Sequence, residues 1–149
     1  MLLEYWKGAM LLPNDKVAIL MKKTALAIEK LSNHALAPYD LTHTQYKILM
    51  LLYRSQEQLL RQIDIETHFA MTNPTVTGII QNLEKKGLVE RIANPDDKRS
   101  KLLRLTESAV KMEAELYALG ESLEKQVTKN LTEDEGEQLV KLLKKILAG

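Results

Sequence analysis

Cysteine is absent from this 149-residue chain. That removes disulfides, thiolate metal centres, iron–sulfur clusters, a cysteine nucleophile and a thiol redox sensor together, and it fits a reducing compartment. Histidine is scarce. His34, His43 and His68 are spread along the chain, and none has a second histidine at metal-ligand spacing. No Gly-x-Ser-x-Gly elbow, phosphate loop or dinucleotide fingerprint occurs. Acids are plentiful, but nothing singles out a catalytic pair. Neither an enzyme nor a bound metal or cofactor is expected. Long apolar runs are also missing: residues 48–53 form the longest candidate, far short of the roughly 18 needed to cross a bilayer. Residues 1–12 are mildly apolar, yet they contain Glu4 and a single basic residue, Lys7, with no small-residue cleavage site. They read as an arm or a first helical turn rather than a signal peptide. The expectation is a cytoplasmic protein with no membrane partner.

What remains is ordinary in bulk and uneven in detail. Apolar residues make up 45% of the chain and charged residues 28%, enough to bury a core and to exclude wholesale disorder. The length suits one domain. Net charge is only +1, but residues 85–104 carry Lys85, Lys86, Arg91, Lys98, Arg99, Lys101 and Arg104 against Glu90, Asp96 and Asp97. Residues 107–149 lean the other way, with nine acids and six lysines. A basic segment on a neutral body is what a localised phosphate contact requires. A solvated loop has the same composition.

Periodicity is helical almost throughout. Pro13-Asn14-Asp15 marks a start, and Val17, Leu20, Ala25, Ile28 and Leu31 follow at near-helical spacing until Pro38 stops the segment. Thr42-His43-Thr44-Gln45 and Thr132-Glu133-Asp134-Glu135 are capping boxes. The first opens a helix through Ile48, Leu49, Leu52 and Tyr53, and the second opens a final helix. Residues 88–93 and 101–105 are short and mixed, with Asn94-Pro95-Asp96-Asp97 between them. They read as a β-hairpin with a long basic tip. A long helix is expected from Glu107 to about Asn130. The predicted order is four helices, a hairpin and two helices.

Residues 60–89 carry the functional signal. Leu60, Ile65 and Phe69 can line one face of a short helix, and Ala70-Met71 forms a tight connection. Thr72 can cap a second helix, with Pro74 in its first turn, where a missing amide costs nothing. Val76, Ile79, Ile80 and Leu83 make its buried stripe, and Gly87 suits a left-handed cap. Pro74, Gly78, Gln81 and Lys85 lie opposite that stripe, flanked by Thr75, Thr77 and Asn82. This face is polar, short-chained and free of acids, so it can meet base edges and phosphates. Gly78 at its centre costs roughly 1 kcal/mol relative to alanine, which suggests close approach to something. Two short helices and a tight turn are either a helix-turn-helix, whose second helix enters the major groove, or a helical hairpin with a solvated face. A basic hairpin directly after them favours the first.

Met71-Thr72-Asn73-Pro74-Thr75-Val76-Thr77, Leu83-Glu84-Lys85-Lys86-Gly87-Leu88-Val89, Asp97-Lys98-Arg99 and Leu105-Thr106 appear in that order. In these motifs the chain resembles the MarR family of bacterial regulators, from about residue 13 to the end. The resemblance implies a mainly α fold with a small β wing. A winged helix-turn-helix lobe would span about residues 42–106, between dimerisation helices at about 13–37 and 107–149 of one domain. It implies a recognition helix at about 73–86, which brings Thr72 and Asn73 into the DNA-binding set, and a wing at about 88–105. Within the wing, Arg99 would enter the minor groove beside Lys98, with Asp97 orienting it. Many family members carry arginine where this chain has Gly78, so more of the reading would fall to Thr75, Thr77, Gln81 and DNA shape.

Ile19, Leu20, Leu26 and Ile28 at one end, and Leu116, Leu119, Leu123 and Val127 at the other, hold more apolar surface than a small core can bury. A homodimer seam accommodates it, and a two-fold protein suits an inverted repeat in double-stranded DNA. The family resemblance also implies a small aromatic or phenolic effector near His34, Tyr39, His43, Tyr46 and Met50, residues that would serve equally well as core packing, and repression as the default. A protein-interaction module on the same fold, or a zinc sensor using His34 and His43, are the competing readings.

Overall fold

The computed structural model describes residues 15–149, so residues 1–12 and the Pro13-Asn14 helix start lie outside the described residues. Six helices and three short strands follow one another: α1 (Val17–Leu36), α2 (His43–Arg54), β1 (Leu60–Arg61), α3 (Gln62–Phe69), α4 (Asn73–Lys85), β2 (Val89–Ala93), β3 (Lys101–Leu105), α5 (Glu107–Val127) and α6 (Glu133–Ala148). The predicted fold class holds. Two compact units emerge among the described residues, Ser32–Ala118 and 15–31 with Leu119–Gly149. Helices α1 and α5 contribute to both.

The helix boundaries follow from local chemistry. Pro38 does not end the first segment by itself: α1 stops at Leu36, and Pro38 sits in a single 3-10 turn, Ala37–Tyr39. Asp40 then takes a left-handed conformation. Both capping boxes form. Thr42 Oγ1 accepts the Gln45 amide at 3.1 Å, and Gln45 Oε1 accepts the Thr42 amide at 3.1 Å. Thr132 and Glu135 repeat the exchange at 3.2 and 2.9 Å. The Thr132 amide and hydroxyl hold the Glu135 carboxyl below its ordinary range.

The Ser32–Ala118 unit is a helical lobe with a small sheet. Its core comprises Leu36, Ile48, Leu49, Leu52, Ile65, Val76, Ile80, Leu83, Val89, Leu103 and Leu116. Val76, Ile80 and Leu83 of the expected α4 stripe are fully buried, whereas Ile79 is half-buried. Each fully buried aliphatic side chain contributes about 1.5–3 kcal/mol of transfer free energy. That fixes which face α4 turns inward.

The sheet differs from the expected lone hairpin. β2 and β3 pair antiparallel from Val89↔Leu105 to Ala93↔Lys101, but β1 adds a third strand on the other edge of β3. Leu60, assigned by periodicity to the face of α3, instead pairs with Leu103. Helix α3 begins at Gln62, where the Asp64 carboxylate reaches back to the Arg61 amide at 2.8 Å and to its guanidinium at 3.0 Å. Thr106 closes the sheet onto α5. Its hydroxyl donates to the Gly87 carbonyl at 2.6 Å and accepts the Ala109 amide at 3.2 Å.

In the second unit α6 buries none of its residues. Leu139, Val140, Leu142, Ile146 and Leu147 are exposed, as are Val17, Ile19, Leu20 and Leu26 of α1. No described helix is long and apolar enough to cross a membrane.

Candidate nucleic-acid interface

Helices α3 and α4 are joined by a tight turn. Ala70 adopts a left-handed conformation at φ 52°, and the Met71 amide bonds back to the Glu66 carbonyl at 3.0 Å. Thr72 stands at the N-cap of α4, as expected, but its hydroxyl makes no cap bond to the backbone. It donates instead to the Thr75 hydroxyl at 2.9 Å. Two of the expected contact residues therefore hold each other on the exposed first turn. At the other end the Leu88 amide bonds to the Leu83 carbonyl and the Gly87 amide to the Glu84 carbonyl, at 3.0 and 2.9 Å. Gly87, at φ 71°, supplies the left-handed residue that this double closure needs.

The outward face of α4 is as the periodicity implied. Asn73, Pro74, Thr75, Gln81, Asn82 and Lys85 are exposed, and Thr77 and Gly78 are half-buried. A Cβ at Gly78 would meet nothing within 4 Å, so packing within the chain does not demand glycine there. The one acid of α4, Glu84, is half-buried and accepts Arg91 Nε at 2.8 Å. Its charge is thus spent on the wing rather than on the outward face.

The wing tip is shaped by its own side chains. Asn94 Oδ1 accepts the Asp96 amide at 3.0 Å, and Asn94 Nδ2 donates to Ser100 Oγ at 3.0 Å. Asp97 Oδ1 accepts the Arg99 amide at 2.9 Å and lies 3.8 Å from Arg99 Nε. The Arg99 side chain itself is 95% exposed. The basic excess is smaller in space than in sequence: Arg104 pairs with Glu90 at 2.7 Å and Arg91 with Glu84. Lys86 turns inward, donating to the Asp40 carbonyl and, at 3.0 Å, to Gln45 Oε1. Lys85, Lys98 and Lys101 form no ion pair among the described residues.

A cleft of about 360 Å³ lies between the start of α4 and the wing. Asn73 and Thr77 line it from α4, Gln62 and Glu66 from α3, and Arg91, Arg99 and Lys101 from the wing side. The sequence alone could not show that α4 and the wing share one concavity. Asn73 also has a structural task, since its Nδ2 donates to Glu66 Oε2 at 3.2 Å and clasps α3 to α4.

The family model described as the MarR family matches residues 41–101, which span the lobe from the start of α2 to the wing. The multiple antibiotic resistance protein MarR of Escherichia coli is 33% identical over 120 residues, covering 80% of this chain and 82% of that protein. This chain belongs to the MarR family. Two solved structures extend the likeness. The S. aureus MepR–DNA complex has a TM-score of 0.84 at 29% identity, covering 91% of this chain and 98% of that one. A mutant E. coli MarR complexed with operator DNA has a TM-score of 0.82 at 31% identity, covering 88% and 93%.

Within this MarR-family lobe the five residues expected to meet an effector separate. Tyr46 and Met50 line a cavity of about 360 Å³ with Lys47, Arg54, Phe69 and Tyr117. Lys47 Nζ sits 5.4 Å from the centre of the Phe69 ring. His43 Nδ1 instead lies 2.8 Å from Ser32 Oγ, and its amide donates to Asn33 Oδ1 at 2.7 Å. The Glu115 carboxylate near Tyr39 raises the phenol above its ordinary value. His34 is exposed on α1. Sequence reasoning missed Gln62, whose amide donates to Thr77 Oγ1 at 2.7 Å. A partner fifteen positions away on another helix leaves no periodic signal.

Proposed function

We propose that this MarR-family chain is a sequence-specific regulator of transcription that binds an inverted-repeat operator as a homodimer and acts as a repressor. Helix α4 enters the major groove through Thr75, Thr77, Gln81, Asn82 and Lys85, with Thr72, Asn73, Pro74 and Gly78 at the closest approach. The wing, through Lys98 and Arg99 positioned by Asp97, follows the backbone into the adjacent minor groove. The cleft that joins Asn73 and Thr77 to Arg99 and Lys101 is the observation that carries this reading, because one rigid surface then presents base-reading and phosphate-neutralising groups together. MepR and MarR, both similar over most of this chain, are described in complexes with DNA, which supports it. The exposed apolar residues of α6 and the start of α1 supply the dimer seam. A two-fold dimer places its recognition helices about one turn apart, roughly 10–10.5 bp centre to centre.

Selection from a random duplex library tests this. The expected product is an inverted repeat with that spacing, bound by two chains per duplex. A single asymmetric half-site bound by one chain overturns it.

A small planar or phenolic effector would occupy the Tyr46–Met50 cavity, where three rings and the cations Lys47 and Arg54 meet. Benzoate and phenol are the simplest probes. Release of the selected duplex by either, abolished in Met50→Trp, is the expected result. Equal release from the filled variant excludes this cavity.

A further inference from the structure

A threonine inside a helix can turn its hydroxyl back on its own backbone. Thr24 and Thr67 do so here, as does Thr128 just past the end of α5, donating to the carbonyl four residues earlier at 2.7, 2.9 and 2.8 Å. Thr77 does not. The carbonyl four residues before it belongs to Asn73, and that oxygen is approached by Gln62 Nε2 at 3.5 Å. The same nitrogen donates to Thr77 Oγ1 at 2.7 Å. A carbonyl can only accept, so the Asn73 oxygen fixes which end of the Gln62 amide points here. The Thr77 oxygen is consequently an acceptor toward Gln62. Among the described residues no group accepts the Thr77 hydroxyl proton. Thr77 is half-buried and lines the cleft beside Asn73 and Arg99.

A free threonine hydroxyl is ambiguous to DNA, because it can donate or accept. We propose that Gln62 tilts this balance: its donation occupies one of the two lone pairs of Thr77 Oγ1 and leaves the proton free, so the hydroxyl favours donating into the major groove over accepting from it, and so sets base preference at one position of each half-site. The inference rests on the reading of α4 as the recognition helix. At that position the helix favours bases with an acceptor on the groove edge: guanine N7 and O6, adenine N7 or thymine O4. It disfavours cytosine, which presents its N4 amino donor. Gln62 need not touch DNA to do this; it is a positioning residue. Its side chain also reaches α4 from the first residue of α3, so the preference is set by the packing of one helix on the other.

The experiment is selection of the full-length protein and its variants on a random duplex library, followed by titration of single-base variants of the selected duplex. Wild type should disfavour cytosine by about tenfold at one position per half-site. Gln62→Leu should flatten that position to within about twofold and leave the others unchanged. Thr77→Val should flatten the same position, and the double variant should add nothing further, since both substitutions remove one interaction. Gln62→Glu is the decisive variant. A carboxylate can only accept, so it should draw the Thr77 proton inward, present the oxygen to the groove and turn the preference toward cytosine N4 or adenine N6. The added charge should also weaken all duplexes alike, which a merely structural or electrostatic role would do on its own. Melting temperatures recorded alongside should confirm folded variants.

Unchanged preferences in Gln62→Leu and Gln62→Glu, or a uniform loss with no change at that position, overturn the proposal and leave the DNA reading intact. Failure of the wild type to select any sequence overturns both.

Discussion

The Tyr53 hydroxyl is buried and donates to the Ala109 carbonyl at 2.5 Å, tying α2 to the first turn of α5. Burial, and then the nearby Glu113 carboxylate and Tyr117, push its pKa up to about 12. An unfolded tyrosine ionises near pH 10 (about its ordinary value). Between pH 10 and 12 the native state therefore holds a proton that the unfolded state has lost. By linkage, stability from this group is complete below pH 10 and falls as pH rises toward 12. Urea unfolding across that window should show the midpoint dropping. Tyr53→Phe should begin about 0.5–1.5 kcal/mol less stable, because one buried hydrogen bond is lost while the Ala109 carbonyl keeps its partner within α5, and should lack this part of the alkaline decline. An equal decline in Tyr53→Phe would assign the effect to another group.

At the scale of elements, the recognition helix and the wing should fail differently when cut back. Arg99 is almost wholly exposed at the wing tip, so Arg99→Ala should weaken binding to many sequences and shrink the salt slope by about one contact per subunit. Gln81 is exposed on α4, and Gln81→Ala should cost roughly 1–3 kcal/mol on the selected site, little on random duplex, and leave the salt slope nearly intact. Titration of both duplexes at several salt concentrations separates the two. An unchanged slope in Arg99→Ala would return the wing tip to a solvated turn. The same elements show what a linear reading can reach. Both capping boxes, the Val76–Ile80–Leu83 stripe and the Gly87 closure were legible because each is written within one or two turns of chain. The strand β1 was not, because it is two residues long and exists only through pairing with Leu102 and Leu103, some forty positions away. Lys86 counted as a free cation for the same reason: its partners, Asp40 and Gln45, belong to the entry of α2. The acid-free face of α4 was readable as a face, but the cleft that joins it to Arg99 and Lys101 exists only once the sheet has formed.

For the whole molecule, the assembly and the DNA surface are one problem. An α6 with no buried residue and five exposed large apolar side chains is a poor solution for a lone chain. Removing residues 133–149 should give a monomer in light scattering and cost affinity for an inverted repeat far more than for a single half-site. A truncated chain that remains a dimer would place the seam elsewhere. The central claim, that the outward face of α4 meets the major groove, is tested most directly at Gly78. Nothing lies within 4 Å of a Cβ built there, and glutamate is a better helix former than glycine, so Gly78→Glu should fold as well as the wild type. It should nevertheless place a carboxylate against the bases and phosphates. The measurement is affinity for the selected duplex beside the melting temperature. An unaltered or slightly raised melting temperature with binding reduced by at least about 100-fold, the size expected when a buried charge meets like charge, is the predicted result. A well-folded Gly78→Glu that binds its operator as tightly as the wild type would mean that this face does not meet DNA.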